Sequence, residues 1–212
     1  MRPLVAIPAA ARAAMRGVLA DIDDTLSTDG RITAVAYAAM ERLRSAGLLF
    51  IPITGRPAGW CDHIARMWPV DAVVGENGAL YMMLDGGGGR LRKRYASTDA
   101  ERADNRRRLA EVGASILREV PGSALASDQP YRESDLAIDF CEDVPRLADA
   151  AIDRIMALMR AAGMTAKMSS IHVNGWFGAY DKLAMTRTLL RDEFGVDLDA
   201  ERDRFIFIGD SP

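Results

Sequence analysis

Short apolar runs alternate with amphipathic segments in the first third of this chain. The run Gly17-Val18-Leu19-Ala20 predicts a buried strand, closed abruptly by Asp21-Ile22-Asp23-Asp24-Thr25. Residues 33–46 have helical spacing, with Thr33 placed as N-cap and Gly47 just past the end. Residues 48–53 form a second apolar run that ends in Thr54-Gly55-Arg56-Pro57. A helix over 58–67 and a short strand over 71–74 follow, the latter closed by Gly75-Glu76-Asn77-Gly78. Strand, helix, strand, helix, strand is the order of a parallel sheet with crossover helices.

The rhythm then changes. Residues 80–84 and 90–95 flank Asp85 and four glycines, the pattern of an antiparallel hairpin with a loose tip. A helix over 99–120, a strand over 136–141, a helix over 145–162 with Pro145 in its first turn, and one or two strands over 165–177 complete an α+β segment. The α/β pattern resumes with a helix over 181–194 and a very apolar strand over 204–208, which runs into Gly209-Asp210-Ser211-Pro212. The expected architecture is a Rossmann-like parallel core, residues 15–79 and 181–212, carrying an α+β insertion, residues 80–180. Residues 1–14 form a leader of doubtful structure, and Met15 is an alternative start.

Composition narrows the function classes. The chain has 212 residues, enough for one core and a smaller second one. A net charge of −3 gives no bulk attraction to nucleic acid or to an anionic membrane. No apolar stretch reaches the roughly 20 residues that span a bilayer. Cys61 and Cys141 have neither metal-ligand spacing nor a disulfide pattern, which fits buried thiols in a reducing, cytoplasmic setting. The arginines around 90–94 and 102–108 lack interleaved aromatics and read as a solvated face.

The acidic strand tip is the chemical signal. Two carboxylates two residues apart repel each other and call for a cation or a proton. In an open parallel sheet the strand tips share one edge. Asp21, Asp23, Thr54 and Asp210 are thereby expected to meet, although nearly the whole chain separates them. Each has a blander reading alone: loop acid, helix cap, strand-end hydroxyl or turn acid.

In this order and spacing, Asp21-Ile22-Asp23-Asp24-Thr25, Thr54-Gly55-Arg56, Lys182 and Gly209-Asp210-Ser211 resemble the four motifs of the haloacid dehalogenase-like superfamily. The insertion resembles the cap of its Cof-type and sugar-phosphatase branch. Glu76-Asn77-Gly78-Ala79 is similar to a segment of sucrose-phosphate and mannosyl-3-phosphoglycerate phosphatases. The resemblance implies a Mg²⁺-dependent phosphatase acting on a small phosphorylated metabolite, with a sugar phosphate expected. Asp21 would be the nucleophile and Asp23 the acid and base. Thr54, the Gly55 N–H and Lys182 would bind the phosphoryl group, and Asp21, Asp23 and Asp210 would hold Mg²⁺. Arg56, Asn77 and His172 are candidate substrate contacts, and the cap would close over the sheet edge and exclude water.

A phosphomutase of the phosphomannomutase type, or a phosphometabolite-binding protein without turnover, fits the same residues. The substrate and the choice between monomer and homodimer stay open. The family pattern carries a further acid after the Asp210 position. Pro212 ends the sequence before it, which predicts metal affinity weakened ~10–100-fold and an exposed terminal strand.

Overall fold

The computed structural model describes residues 7–86 and 89–209. The elements in chain order are α1 (Ala9–Ala13), β1 (Gly17–Ala20), β2 (Ser27–Thr28), β3 (Arg31–Ile32), α2 (Ala34–Ser45), β4 (Leu49–Pro52), α3 (Ala58–Met67), β5 (Val73–Gly75), β6 (Leu80–Leu84), β7 (Leu91–Tyr95), α4 (Asp99–Glu119), β8 (Ala124–Leu125), β9 (Asp135–Asp139), α5 (Asp149–Ala161), β10 (Thr165–Met168), β11 (His172–Trp176), α6 (Lys182–Phe194) and β12 (Phe205–Ile208). They fall into two compact units, one of residues 1–56, 61–94 and 181–212, the other of residues 57–60 and 95–180.

The first unit is α/β, as the apolar runs predict. β1 lies between β12 and β4, with both pairings parallel. A parallel bridge from Ile53 to Val74 carries the order on to β5. Leu19, Ile51, Ile53 and Val74 pack on one face with Met185, Leu189 and Leu190 of α6. Alternation turns Val18 and Phe50 to the opposite face, where α2 packs on β4 and buries Met40. Gly17 has a steric reason: a Cβ there would lie 2.8 Å from the Leu49 carbonyl oxygen of the neighbouring strand. Local signals fix the helix ends. Thr33 accepts the Ala36 N–H at 3.2 Å, and Asp181 accepts the Ala184 N–H at 2.7 Å. Gly195 closes α6 in the left-handed region, φ +61°.

Three placements differ from the sequence reading. The hairpin of β6 and β7, expected in the insertion, packs in the first unit. Antiparallel pairing of β6 with β5 holds it there, with the Tyr81 hydroxyl donating to Glu193 at 2.6 Å. Two of its tip glycines, Gly87 and Gly88, lie outside the described residues. The leader contains the short helix α1, none of whose residues is buried. α5 starts at Asp149 and not near Pro145. Asp139 explains the delay, because its carboxylate accepts the backbone N–H groups of Cys141, Glu142 and Asp143 at 2.7–2.8 Å. That turn sends the chain back until the Leu147 N–H reaches the Phe140 carbonyl at 2.9 Å.

The second unit is a four-stranded antiparallel sheet, order β10-β11-β9-β8, with α4 and α5 on one face. Ile116, Leu136, Ile138, Ile155, Met159 and Val173 form its apolar layer. Thr98 and Glu101 make a reciprocal capping box at the start of α4. The register pairs His172 with Asp139 and Trp176 with Asp135, so these four side chains share the other face, and all are buried.

Asp139 makes this turn sensitive to acid. Burial pushes its carboxyl up, but the N–H donors of Glu142, Asp143 and Cys141, with His172 nearby, hold it below the ordinary value. A depressed folded value contributes stability above the unfolded pKa of about 3.9. That contribution is lost as the pH falls through the lower folded value. Asp139→Asn is expected to cost about 1–3 kcal/mol near neutral pH, with a deficit that narrows below about pH 4. Urea denaturation of both proteins across that range checks it.

The arginine-rich stretches are tied into ion pairs. Arg107 meets Asp104 at 2.6 Å and Glu111 at 3.2 Å, and Arg92 meets Glu193 at 2.5 Å. No helix among the described residues is long and apolar enough to cross a membrane.

Candidate active site

The acidic segment is a tight loop at the tip of β1. The Ile22 carbonyl accepts the N–H groups of Thr25, Leu26 and Ser27 at 2.9–3.4 Å, and the Ser27 hydroxyl accepts the Asp24 N–H at 3.2 Å. Asp24 takes φ +53°, a conformation that aspartate tolerates better than most residues. The Asp21 N–H donates to the Ile208 carbonyl at 2.9 Å, so the tips of β1 and β12 lie side by side. Asp210, two residues beyond Ile208, lies outside the described residues.

Asp21 and Lys182 meet across 161 positions of sequence. The Lys182 Nζ donates to Asp21 Oδ2 at 2.8 Å, and Asp21 Oδ1 accepts the Ile22 N–H at 2.8 Å. Lys182 opens α6 directly after its cap Asp181, and its side chain is one-third exposed.

Thr54 is fully buried at the tip of the next strand. Its hydroxyl accepts the Arg56 N–H at 3.0 Å, which leaves its own proton to donate. A Cβ on Gly55 would stand 3.1 Å from the Asn77 amide oxygen, so Asn77 braces this loop. Arg56 takes a role the sequence does not reveal. Its guanidinium grips the Asp23 carboxylate as a fork, with Nη2 to Oδ1 at 2.7 Å and Nε to both oxygens at 3.0 and 3.1 Å.

Glu76, Asn77 and Gly78 have successive φ values of +44°, +56° and +99°. Non-glycine residues in this region cost of order 1–3 kcal/mol each, and Glu76 is fully buried besides. The Glu76 N–H donates to the Arg56 carbonyl at 3.1 Å, and the Asn77 N–H to the Thr54 carbonyl at 3.2 Å.

His172 lies in the second unit, buried on β11, with its ring Nε2 2.8 Å from Glu142 and its backbone N–H on the Ser169 hydroxyl at 3.0 Å. These contacts tie the 139–143 turn to β11. The same sheet face holds a group that sequence reading missed. Arg132, almost fully buried, grips Asp128 at 2.9 and 3.0 Å and Asp135 at 3.0 and 3.1 Å. Its guanidinium is raised further above its ordinary range: burial opposes the charge, but the two carboxylates outweigh it.

The oxygen donors at the first unit's tip suit a hard cation such as Mg²⁺, which takes few carboxylates and keeps several waters. Among the described residues no three His, Cys, Asp or Glu side chains form a complete cage. The described carboxylate donors are the acids of the 21–24 loop.

Residues 18–100 match the family model of the haloacid dehalogenase-like hydrolases. A solved structure of a Thermoplasma acidophilum protein, 0175, aligns at TM-score 0.66 and 15% identity, covering 91% of this chain and 76% of that one. The C-terminal domain of C. albicans trehalose-6-phosphate phosphatase aligns at 0.66 and 14%, covering 92% and 69%. The Synechocystis sp. PCC6803 sucrose-phosphatase, solved with sucrose and phosphate, aligns at 0.61 and 16%, covering 92% and 76%. A comparison with curated sequences gives no significant match. The matched segment contains the acidic loop, the Thr54 loop and the strained turn, and these solved structures share the surrounding fold.

Proposed function

We propose that this protein is a Mg²⁺-dependent phosphatase that hydrolyses a small phosphorylated metabolite, a sugar phosphate, through an aspartyl-phosphate. The observation that carries the reading is the Lys182–Asp21 contact of 2.8 Å at a strand tip, with the Thr54 hydroxyl at the tip of the adjacent strand. A carboxylate beside a fixed ammonium and a hydroxyl donor is equipped to attack a phosphoryl group and to balance its charge.

Asp21 attacks phosphorus, and the ester oxygen departs with a proton from Asp23. Asp23 then takes a proton from water, and that water cleaves the acyl phosphate, which releases inorganic phosphate and restores Asp21. Lys182, the Thr54 hydroxyl and the Gly55 N–H stabilise the equatorial oxygens. Arg56 fixes the direction of the Asp23 carboxylate. Mg²⁺, held by the Asp21 carboxylate, the Asp23 main chain and Asp210, would supply the positive charge that lets an anion approach an anion.

The choice of a sugar phosphate draws on fold neighbours. They include a trehalose-6-phosphate phosphatase, a sucrose-phosphatase and a sugar phosphatase of haloacid dehalogenase subclass IIB. The expected result is release of inorganic phosphate from at least one member of a panel of phosphorylated sugars with Mg²⁺, falling to background with EDTA. Isomerised sugar phosphate with no free phosphate would overturn hydrolysis in favour of phosphoryl return.

A further inference from the structure

The turn of Glu76, Asn77 and Gly78 touches two parts of the site at once. On one side its N–H groups hold the carbonyls of Thr54 and Arg56. On the other, Gly78 lies so close to the start of α6 that an added Cβ would stand 2.1 Å from the Asp181 carbonyl oxygen and 2.7 Å from the Lys182 nitrogen. Lys182 then reaches Asp21 at 2.8 Å. A turn that keeps three successive left-handed residues persists only where its surroundings over-determine it. Here the surroundings are the phosphoryl-binding loop and the backbone of the lysine.

We propose that this turn is a positioning wedge: it fixes the spacing between the Thr54–Arg56 loop and the start of α6, and Gly78 is the residue that seats Lys182 against Asp21. The proposal rests on the reading that Lys182 acts on the transferring phosphoryl group. Gly78 itself touches neither substrate nor reacting atoms. It acts through the backbone of Asp181 and Lys182, because only a residue without a side chain allows that approach at φ +99°.

The test compares glycines. Gly78→Ala forces the start of α6 away, whereas Gly47→Ala and Gly195→Ala place a methyl at φ +73° and +61° with nothing within 4 Å. Gly78→Ala is expected to lower kcat by ~10²-fold, the scale of a displacement near 1 Å, while both controls keep kcat unchanged. In a Lys182→Met background, Gly78→Ala is expected to add no further loss, since both changes remove one interaction. A further independent loss there, or an equal loss in Gly195→Ala, overturns the proposal.

A second readout needs no turnover. The lysines of the sequence are Lys93, Lys167 and Lys182, so acetylation by an amine reagent can be mapped by peptide. Gly78→Ala is expected to raise labelling of Lys182 relative to the other two, and unchanged labelling overturns the proposal. If Gly78→Ala does not fold, Asn77→Gly carries the test: it frees the turn without adding bulk, and the same rise in Lys182 labelling is expected. Absence of phosphate release by the wild-type protein would count against the phosphatase reading alone, with labelling still deciding the wedge.

Discussion

Asp21→Asn is expected to reduce phosphate release by about 10⁴-fold or more, with the thermal melt unchanged. The amide has the size of the carboxylate but cannot form the acyl phosphate, so the two-step route closes. It also gives up the charge that Lys182 pairs with at 2.8 Å. That loss is cheap for folding, because the lysine is one-third exposed and water replaces the partner. The variant therefore separates chemistry from stability. Phosphate release with Mg²⁺ beside a circular-dichroism melt measures both, and turnover within tenfold of wild type would remove Asp21 from the role of nucleophile.

Arg132→Met is expected to be the most damaging single change to the second unit. It leaves Asp128 and Asp135 facing each other in the interior without their cation. Removing one partner of such a buried pair costs about 3–5 kcal/mol, because the remaining charge is uncompensated. Burial already pushes the Asp135 carboxyl up in the native protein, against the pull of Arg132. Without the arginine that rise grows. A raised folded value adds stability below the unfolded pKa of about 3.9, and the advantage disappears as pH rises through the folded value. The deficit of Arg132→Met should therefore be smallest in acid and widen towards neutrality. Hydrogen exchange of the β9 and β11 amides across that range reads it locally. An unchanged exchange pattern would mean that solvent or a rearranged neighbour compensates the carboxylates.

The two predictions probe residues of unequal visibility in the sequence. Asp21 announces itself, since a carboxylate pair after a buried apolar run is costly without a use. Arg132, Asp128 and Asp135 sit in a stretch with no motif, and their charges read locally as surface. Only their burial on one sheet face makes them significant. Arg56 lies between these cases: the Thr54-Gly55-Arg56 segment marks the loop, but a fork on a carboxylate 33 positions away has no local signature. His172 is a further case: the sequence offers it as a substrate contact, and the structure sets its ring beside Glu142, a neighbour with no local signature.

The amino-acid order alone determined the kinds of element and much of their length, because apolar spacing, Thr33, Asp181 and the glycines past helix ends act within a few residues. It also determined the chemical vocabulary of the site, because Asp21, Thr54 and Lys182 stand at segment boundaries where polar groups need a purpose. The tertiary structure decided the pairings: Lys182 with Asp21, Arg56 with Asp23, Gly78 against Asp181, and the hairpin with the first unit. Each of these depends on distances between segments remote in sequence and on how much water their meeting excludes, quantities that no local pattern encodes.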